Sequence, residues 1–289
     1  MTLDPRLTPA RPDLAAEHLR GQVAAPAYQA GTLRRVAAGS APLRRHPAPD
    51  APLDTEALRG EALRVYDEEE GWAWVQLESD GYVGYVPAAS LGDPDPAPTH
   101  RVASLRCFVF PGPSLKLPPL DHLSLGAAVT VVGEEGAYAR LETAGFIYRP
   151  QLAPIGTPEP DFVAVAEKFV RTPYLWGGKT SLGIDCSGLV QTALAAAGIA
   201  APRDSDMQEA SLGEALGHVP DFGSFRRGDL VFWKGHVGLM LDAERLLHAN
   251  AHHMEVVVEP LREAESRIRE KSFGPITSVR RLPASPGPA

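Results

Sequence analysis

Short strand-like runs of apolar residues, broken by turns, mark the first half of the chain. The run G-W-A-W-V-Q-L at 71–77 alternates cleanly, turns at S-D-G (79–81), and resumes as Y-V-G-Y-V-P at 82–87. Shorter runs of the same kind open at Leu33 and Ala62, with Gly, Pro and Asp between them, and strands at this spacing predict a small barrel over 32–92. After a proline-rich linker, G-D-P-D-P-A-P at 92–98, the theme returns more faintly over 99–153 as a second barrel. Residues 1–31 read as an arm, with one helix expected around Asp13–Gln22 and Asp13 as its N-cap.

From residue 159 to 283 the period changes. Phe162–Val170 has apolar residues at helical spacing and stops ahead of Thr172 and Pro173, because the residue before proline resists helical geometry. The stretch G-K-T-S-L-G-I-D-C-S-G-L-V-Q at 178–191 leads a glycine-rich approach into a short apolar helix ending at Gly198. His236 lies in the alternating run G-H-V-G-L-M-L-D (235–242) and His248 in R-L-L-H-A-N (245–250), both read as strands. The segment from there to Val279 is expected to finish the sheet, and 283–289 is a proline-rich tail. A length of 289 residues suffices for two or three domains, each with its own core.

Charge narrows the partners. A net charge of −8 argues against a nucleic-acid surface, which needs a basic patch. No stretch approaches 18 consecutive apolar residues, so no membrane partner is expected, and the opening residues lack the basic and apolar regions of a secretory leader; the expected location is the cytoplasm. Nothing in the residue pattern specifies an oligomeric state.

The chain has two cysteines. Cys107, in the apolar run L-R-C-F-V-F, reads as a buried inert thiol. Cys186 stands at the start of a helix, where free backbone N–H groups and the macrodipole favour an anion and lower a thiol's pKa toward thiolate. A disulfide between the two would consume this nucleophile. A cysteine on a helix facing histidines on strands is the layout of a thiol hydrolase, in which an imidazole takes the thiol proton. The four-residue spacing of His248 and His252 also allows a zinc reading, but a turn at Asn250 would point those rings apart, and neither a metal nor any other cofactor is expected.

Six motifs in order, T-P-Y-L-W-G-G (172–178), D-C-S-G-L-V (185–190), R-D-S (203–205), G-D-L-V-F-W (228–233), G-H-V-G (235–238) and L-L-H-A (246–249), resemble the NlpC-type cysteine peptidases, bacterial enzymes that cut peptidoglycan stem peptides. The W-A-W-V-Q-L and D-G-Y-V-G-Y-V-P runs look like a bacterial SH3-like domain, which places the nearest resemblance with gamma-D-glutamyl-L-diamino acid endopeptidases. The fold this implies is multidomain: two small SH3-like β barrels, the second degenerate, followed by a papain-like α+β cysteine peptidase domain.

The resemblance implies Cys186 as nucleophile, His236 as general base and acid, and His248 as the group orienting His236. It further implies substrate contacts from Tyr174, Trp176, Asp185, Ser187, Asp204 and Ser205, and from a first-barrel tyrosine reading the substrate amine. Tyr82 is the candidate by its place in D-G-Y, with Tyr85 its competitor; Asp54 or Glu56 would suit the same amine. Ser205 or Asp206 could instead simply cap a short helix. The implied partners are short murein peptides, L-Ala-gamma-D-Glu-diamino acid, and the implied role is recycling of imported wall fragments. Attack on the intact wall, or wall binding by SH3-like domains joined to an inactive peptidase, are the alternatives.

Overall fold

The protein is described from a computed structural model that covers residues 3–219 and 221–283. The chain divides into two compact units, one ending at Ile155 and the other starting at Gly156. Residues 284–289 of the proline-rich tail lie outside the described residues.

The expected helix at 13–22 does not form. Leu14–Ala16 (β1) and Ala27–Gln29 (β2) pair as parallel strands, with a single 3₁₀ turn at Glu17–Leu19 between them. Asp13 is bound to Arg11 rather than to a helix start. Local propensity loses here to packing: Leu14, Ala16 and Leu19 are buried against Tyr66 and Trp74 of the strands that follow.

Those strands are Thr32–Val36 (β3), Ser40–Arg44 (β4), Leu53–Leu58 (β5), Ala62–Glu69 (β6), Trp72–Leu77 (β7), Val83–Pro87 (β8) and Leu91–Gly92 (β9). Their spatial order in one sheet is β5-β4-β8-β7-β6-β3-β9. Glu70 and Gly71 both take positive φ in the β6–β7 hairpin, the backbone a tight two-residue turn requires. A register shift between Val65 and Asp67 adds the local bend that lets the ribbon curl. Leu43, Leu63, Val75, Leu77 and Val86 fill the interior with almost no exposure.

Residues 100–154 form three small sheets around a separate cluster that includes Val102, Leu123, Val129, Leu141 and Ile147. Cys107 is buried in this cluster as a free thiol, and burial pushes it up to about 12.

Among the described residues the second unit places four helices about a six-stranded antiparallel sheet, and Lys179–Thr180 pairs with Gly183–Ile184 as a separate two-stranded one. The helices are Phe162–Glu167 (α1), Cys186–Ala196 (α2), Ser205–Ser211 (α3) and Leu261–Lys271 (α4). The strands are Glu214–Ala215 (β10), Leu230–Trp233 (β11), His236–Met240 (β12), Arg245–Asn250 (β13), Glu255–Pro260 (β14) and Ser278–Arg281 (β15), in the order β10-β15-β11-β12-β13-β14. α2 packs against β12 and β13. α4 corrects the expectation that 251–279 is only sheet. Its Leu261, Ala264 and Ile268 recur at helical spacing and pack on Val231, Met240 and Leu246. Side chains alternate along a strand, so His236 shares a face with Met240, and His248 shares a face with Leu246.

Removing side-chain volume from the barrel interior tests that core. Leu63→Ala is expected to destabilise the barrel by about 2–5 kcal/mol, because the cavity closes only partly. Urea unfolding followed by tryptophan fluorescence measures it, and a loss under about 1 kcal/mol would show that Leu63 is not a core anchor.

Candidate active site

The segment carrying Tyr174 and Trp176 is held on both sides by backbone. Arg171 N–H donates to Val256 O and Tyr174 N–H to Met254 O, while Leu175 N–H donates to Ile184 O. Trp176 is 69% exposed. Gly177 follows with positive φ and gives its N–H to Asp185 Oδ2 at 2.8 Å.

Asp185 is the N-cap of α2, accepting from Gly188 N–H at 2.7 Å. Both its oxygens also receive Arg203, at 3.0 and 2.7 Å, and Arg203 donates to Ser187 Oγ at 2.9 Å. Arg203 is 1% exposed, a guanidinium kept charged in the interior by this fork-to-fork pair. Gly188 fits because a Cβ there would lie 2.4 Å from Gly178 O. Asp185 and Ser187 therefore sit in a buried network around Arg203, a residue the sequence reading passed over within the R-D-S motif. Asp204 is the N-cap residue of α3 without a side-chain capping bond, and Ser205 begins that helix.

Cys186 is the first residue of α2. The expected lowering of its pKa is overturned. Burial, followed by the Asp185 carboxylate, pushes the thiol up to about 12, against N–H donation from Val237 and Ser187 and the charge of Arg203. The helix end does favour an anion, but Asp185 already occupies it.

His236 and His248 are buried, and His236 Nε2 lies 2.8 Å from His248 Nδ1. Gly238 makes room for this contact: a Cβ there would come within 2.8 Å of Leu246 and 3.2 Å of His248 Cβ. His248 Nε2 is 2.7 Å from Glu259 Oε1 and 3.0 Å from Asn250 Nδ2. Arg267, from α4, grips both Glu259 oxygens at 2.5 and 2.7 Å. Burial opposes ionisation of Glu259, but hydrogen bonds from His248 and Arg267 prevail and hold it at about 2. Burial keeps both imidazoles neutral; His236 sits well below the ordinary 6.5, helped down by His248 and Arg267. Phe273 stacks on the His236 ring, with centroids 5.7 Å apart and planes 7° apart.

Cys186, His236, His248, Tyr174 and Trp176 line one cavity of about 330 Å³ together with Asn250, Arg267 and Phe273. That volume suits a short peptide segment. Glu259, Arg267 and Phe273 escaped the sequence reading; the apolar spacing of 261–268 was the available signal for the helix that supplies Arg267. Tyr82 is 3% exposed and packs in the core of the 32–92 domain, and Tyr85 is half-buried and accepts a hydrogen bond from Arg11.

A thiol at a helix start that shares a peptide-sized cavity with a buried, hydrogen-bonded imidazole has the parts of a cysteine hydrolase site. Residues 171–272 match the NlpC/P60 family and residues 43–91 the bacterial dipeptidyl-peptidase SH3 domain, so the chain carries an SH3 domain followed by an NlpC/P60 domain of the cysteine peptidase class. A gamma-D-glutamyl-L-lysine dipeptidyl-peptidase from Bacillus cereus is 27% identical over 242 residues, 72% of this chain and 71% of the relative. Dipeptidyl-peptidase 6 from Lysinibacillus sphaericus is 36% identical over 117 residues, 40% of this chain and 42% of the relative. The crystal structure of an NlpC/P60 family protein from Bacillus cereus shares the fold, with a TM-score of 0.70 at 20% identity over 87% of this chain and 100% of that one.

Two measurements probe the site's construction. Arg203→Met strands the Asp185 carboxylate in the interior and is expected to cost about 3–5 kcal/mol in urea unfolding, with Asp185→Asn restoring part of the loss. No loss, or no restoration, would deny the ion pair its role. In the second, the His236 titration seen by NMR should fall well below pH 6.5, since burial disfavours the charged ring. Phe273→Ala admits water to one face and should move that midpoint upward; an unmoved or lowered midpoint would show that Phe273 does not shield the ring.

Proposed function

We propose that the protein is a cysteine endopeptidase that hydrolyses the gamma-D-glutamyl–diamino acid bond of murein peptides bearing a free N-terminal L-Ala. The observation that carries this reading is the shared cavity of Cys186, His236 and His248, together with the hydrogen bond between the two rings. The name of the Bacillus cereus relative, a gamma-D-glutamyl-L-lysine dipeptidyl-peptidase, supports the substrate class.

In the proposed reaction the resting pair is thiol and neutral imidazole. His236 Nδ1 takes the Sγ proton as sulfur attacks the amide carbonyl. The oxyanion is met by the Cys186 backbone N–H, free at the first helical position. Collapse breaks the C–N bond, and the imidazolium gives its proton to the departing amine, leaving a thioester. Water, deprotonated by His236, then attacks the thioester carbonyl; the acid product leaves and the thiol is restored. Tyr174 and Trp176 wall the cleft, and Asp204 and Ser205 are candidate contacts for the peptide. Asp185 and Ser187 act on substrate only through the helix start they build with Arg203.

We also infer that residues 99–153 form a second, degenerate SH3-like barrel with an architectural role, supported by a core cluster drawn from them together with Leu58. Action on short free-amine peptides suits cytoplasmic recycling of wall fragments.

Incubation with L-Ala-gamma-D-Glu-meso-diaminopimelate, with the L-Lys analogue, and with their N-acetylated forms tests the proposal by product chromatography. The free-amine peptides should be cut, the blocked ones should not, and Cys186→Ala should abolish turnover. Equal cleavage of free and blocked peptides would overturn the free-amine requirement and leave the peptidase. Turnover by Cys186→Ala would overturn the thiol mechanism.

A further inference from the structure

We infer that Glu259 is a positioning residue for this site: its carboxylate, held by Arg267, sets the tautomers of His248 and then of His236, so that His236 presents a bare Nδ1 to the thiol. The inference rests on the proposed roles of Cys186 and His236.

The hydrogen bonds force the sequence of protons one step at a time. An ionised carboxylate can only accept, so His248 Nε2, 2.7 Å from Glu259 Oε1, carries the hydrogen. A neutral imidazole has one N–H, which leaves His248 Nδ1 bare. His236 Nε2, 2.8 Å from that nitrogen, must therefore donate to it. The single proton of His236 is then committed, and its Nδ1 is the free base.

One contact competes. Asn250 Nδ2 lies 3.0 Å from the same His248 Nε2, and Asn250 Oδ1 is occupied by the backbone N–H of His253 at 2.9 Å. As a donor, that amide would ask for a bare Nε2 and impose the opposite tautomers. Charge decides the contest, because a hydrogen bond accepted by a carboxylate is about twice as strong as a neutral one, and it is also the shorter of the two. A bare Nε2 would moreover set two lone pairs against each other at 2.7 Å in a buried site.

The sheet delivers Glu259 to this position. In the β13–β14 ladder Leu246 pairs with Glu259 and His248 with Val257, so Glu259 is the diagonal neighbour of His248 on the same face. Arg267 reaches both oxygens from α4, and its all-donor guanidinium keeps the carboxylate ionised.

Exchanging the carboxylate for an amide exposes the device. In Glu259→Gln, Arg267 can hold only the amide oxygen, which turns the NH₂ toward His248 Nε2. The rings then adopt the opposite tautomers, and the His236 proton sits on Nδ1, facing the thiol. Shape is kept and the base is lost.

The test uses the full chain labelled with ¹⁵N-histidine, reading ring tautomers by NMR alongside kinetics on L-Ala-gamma-D-Glu-L-Lys. Wild type should show Nε2–H on both His236 and His248. Glu259→Gln should show Nδ1–H on both, with kcat down about 100-fold or more and KM changed less than about threefold. Glu259→Gln with Arg267→Met frees the amide to rotate and should recover at least about tenfold of the lost kcat. Wild-type tautomers in Glu259→Gln, or a kcat within about threefold of wild type, would overturn the inference. Equal loss in the single and double variants would overturn the part given to Arg267. Should Glu259→Gln fail to fold, the wild-type spectrum decides, since Nδ1–H on His248 is incompatible with the proposed relay. Cys186→Ala run in parallel separates the two levels: turnover without the thiol would sink the mechanism, whereas the tautomer readout judges Glu259 by itself.

Discussion

Two neutral imidazoles in a dry interior cannot choose their protons independently. The 2.8 Å bond between His236 Nε2 and His248 Nδ1 makes one ring's tautomer the complement of the other's. Much of the second unit can be read as support for that bond. A missing side chain at Gly238 leaves space for His248, α4 covers the strand face that both rings share with Met240 and Leu246, and Phe273 closes over His236. Burial then removes the protonated forms, so the pair has only two arrangements, and a fixed charge at either end can select between them.

The thiol side is governed by a different buried charge pair. Asp185 and Arg203 neutralise each other at the start of α2, and that arrangement consumes the helix end's preference for an anion. Burial, followed by the Asp185 carboxylate, pushes the Cys186 thiol up, and in the proposed mechanism its proton crosses to His236 only as sulfur attacks. A neutral resting pair costs the transfer energy each turnover.

Much of this was legible because local pattern and tertiary environment agree. The run at 83–87 alternates in burial, with Gly84 and Val86 inside, whereas at 72–77 Ala73, Trp74 and Val75 are all buried because both faces of that strand are covered. Cys186, His236 and His248 stood out because a nucleophile after glycines and histidines within apolar strands are unusual local contexts, and they do line one cavity. Where local propensity and packing disagree, the sequence misleads. Residues 13–22 have helical spacing, yet Leu14 and Ala16 are more useful flat against Tyr66 and Trp74. Residues 261–271 read in sequence as part of the sheet, yet Leu261, Ala264 and Ile268 form a stripe that needs the helical period to reach β11, β12 and β13.

Glu259 and Arg267 were invisible for a further reason. Each belongs to a charge-rich run of the kind that solvated helix and strand faces carry everywhere, and neither has an odd neighbour to mark it. Their meaning comes from register. Had β14 slipped by one residue against β13, Glu259 would point to the other face of the sheet and Val258 would stand in its place beside His248. Residues that touch substrate can be found by chemistry and context, whereas residues that set a proton through a neighbour become readable only once the strands are paired.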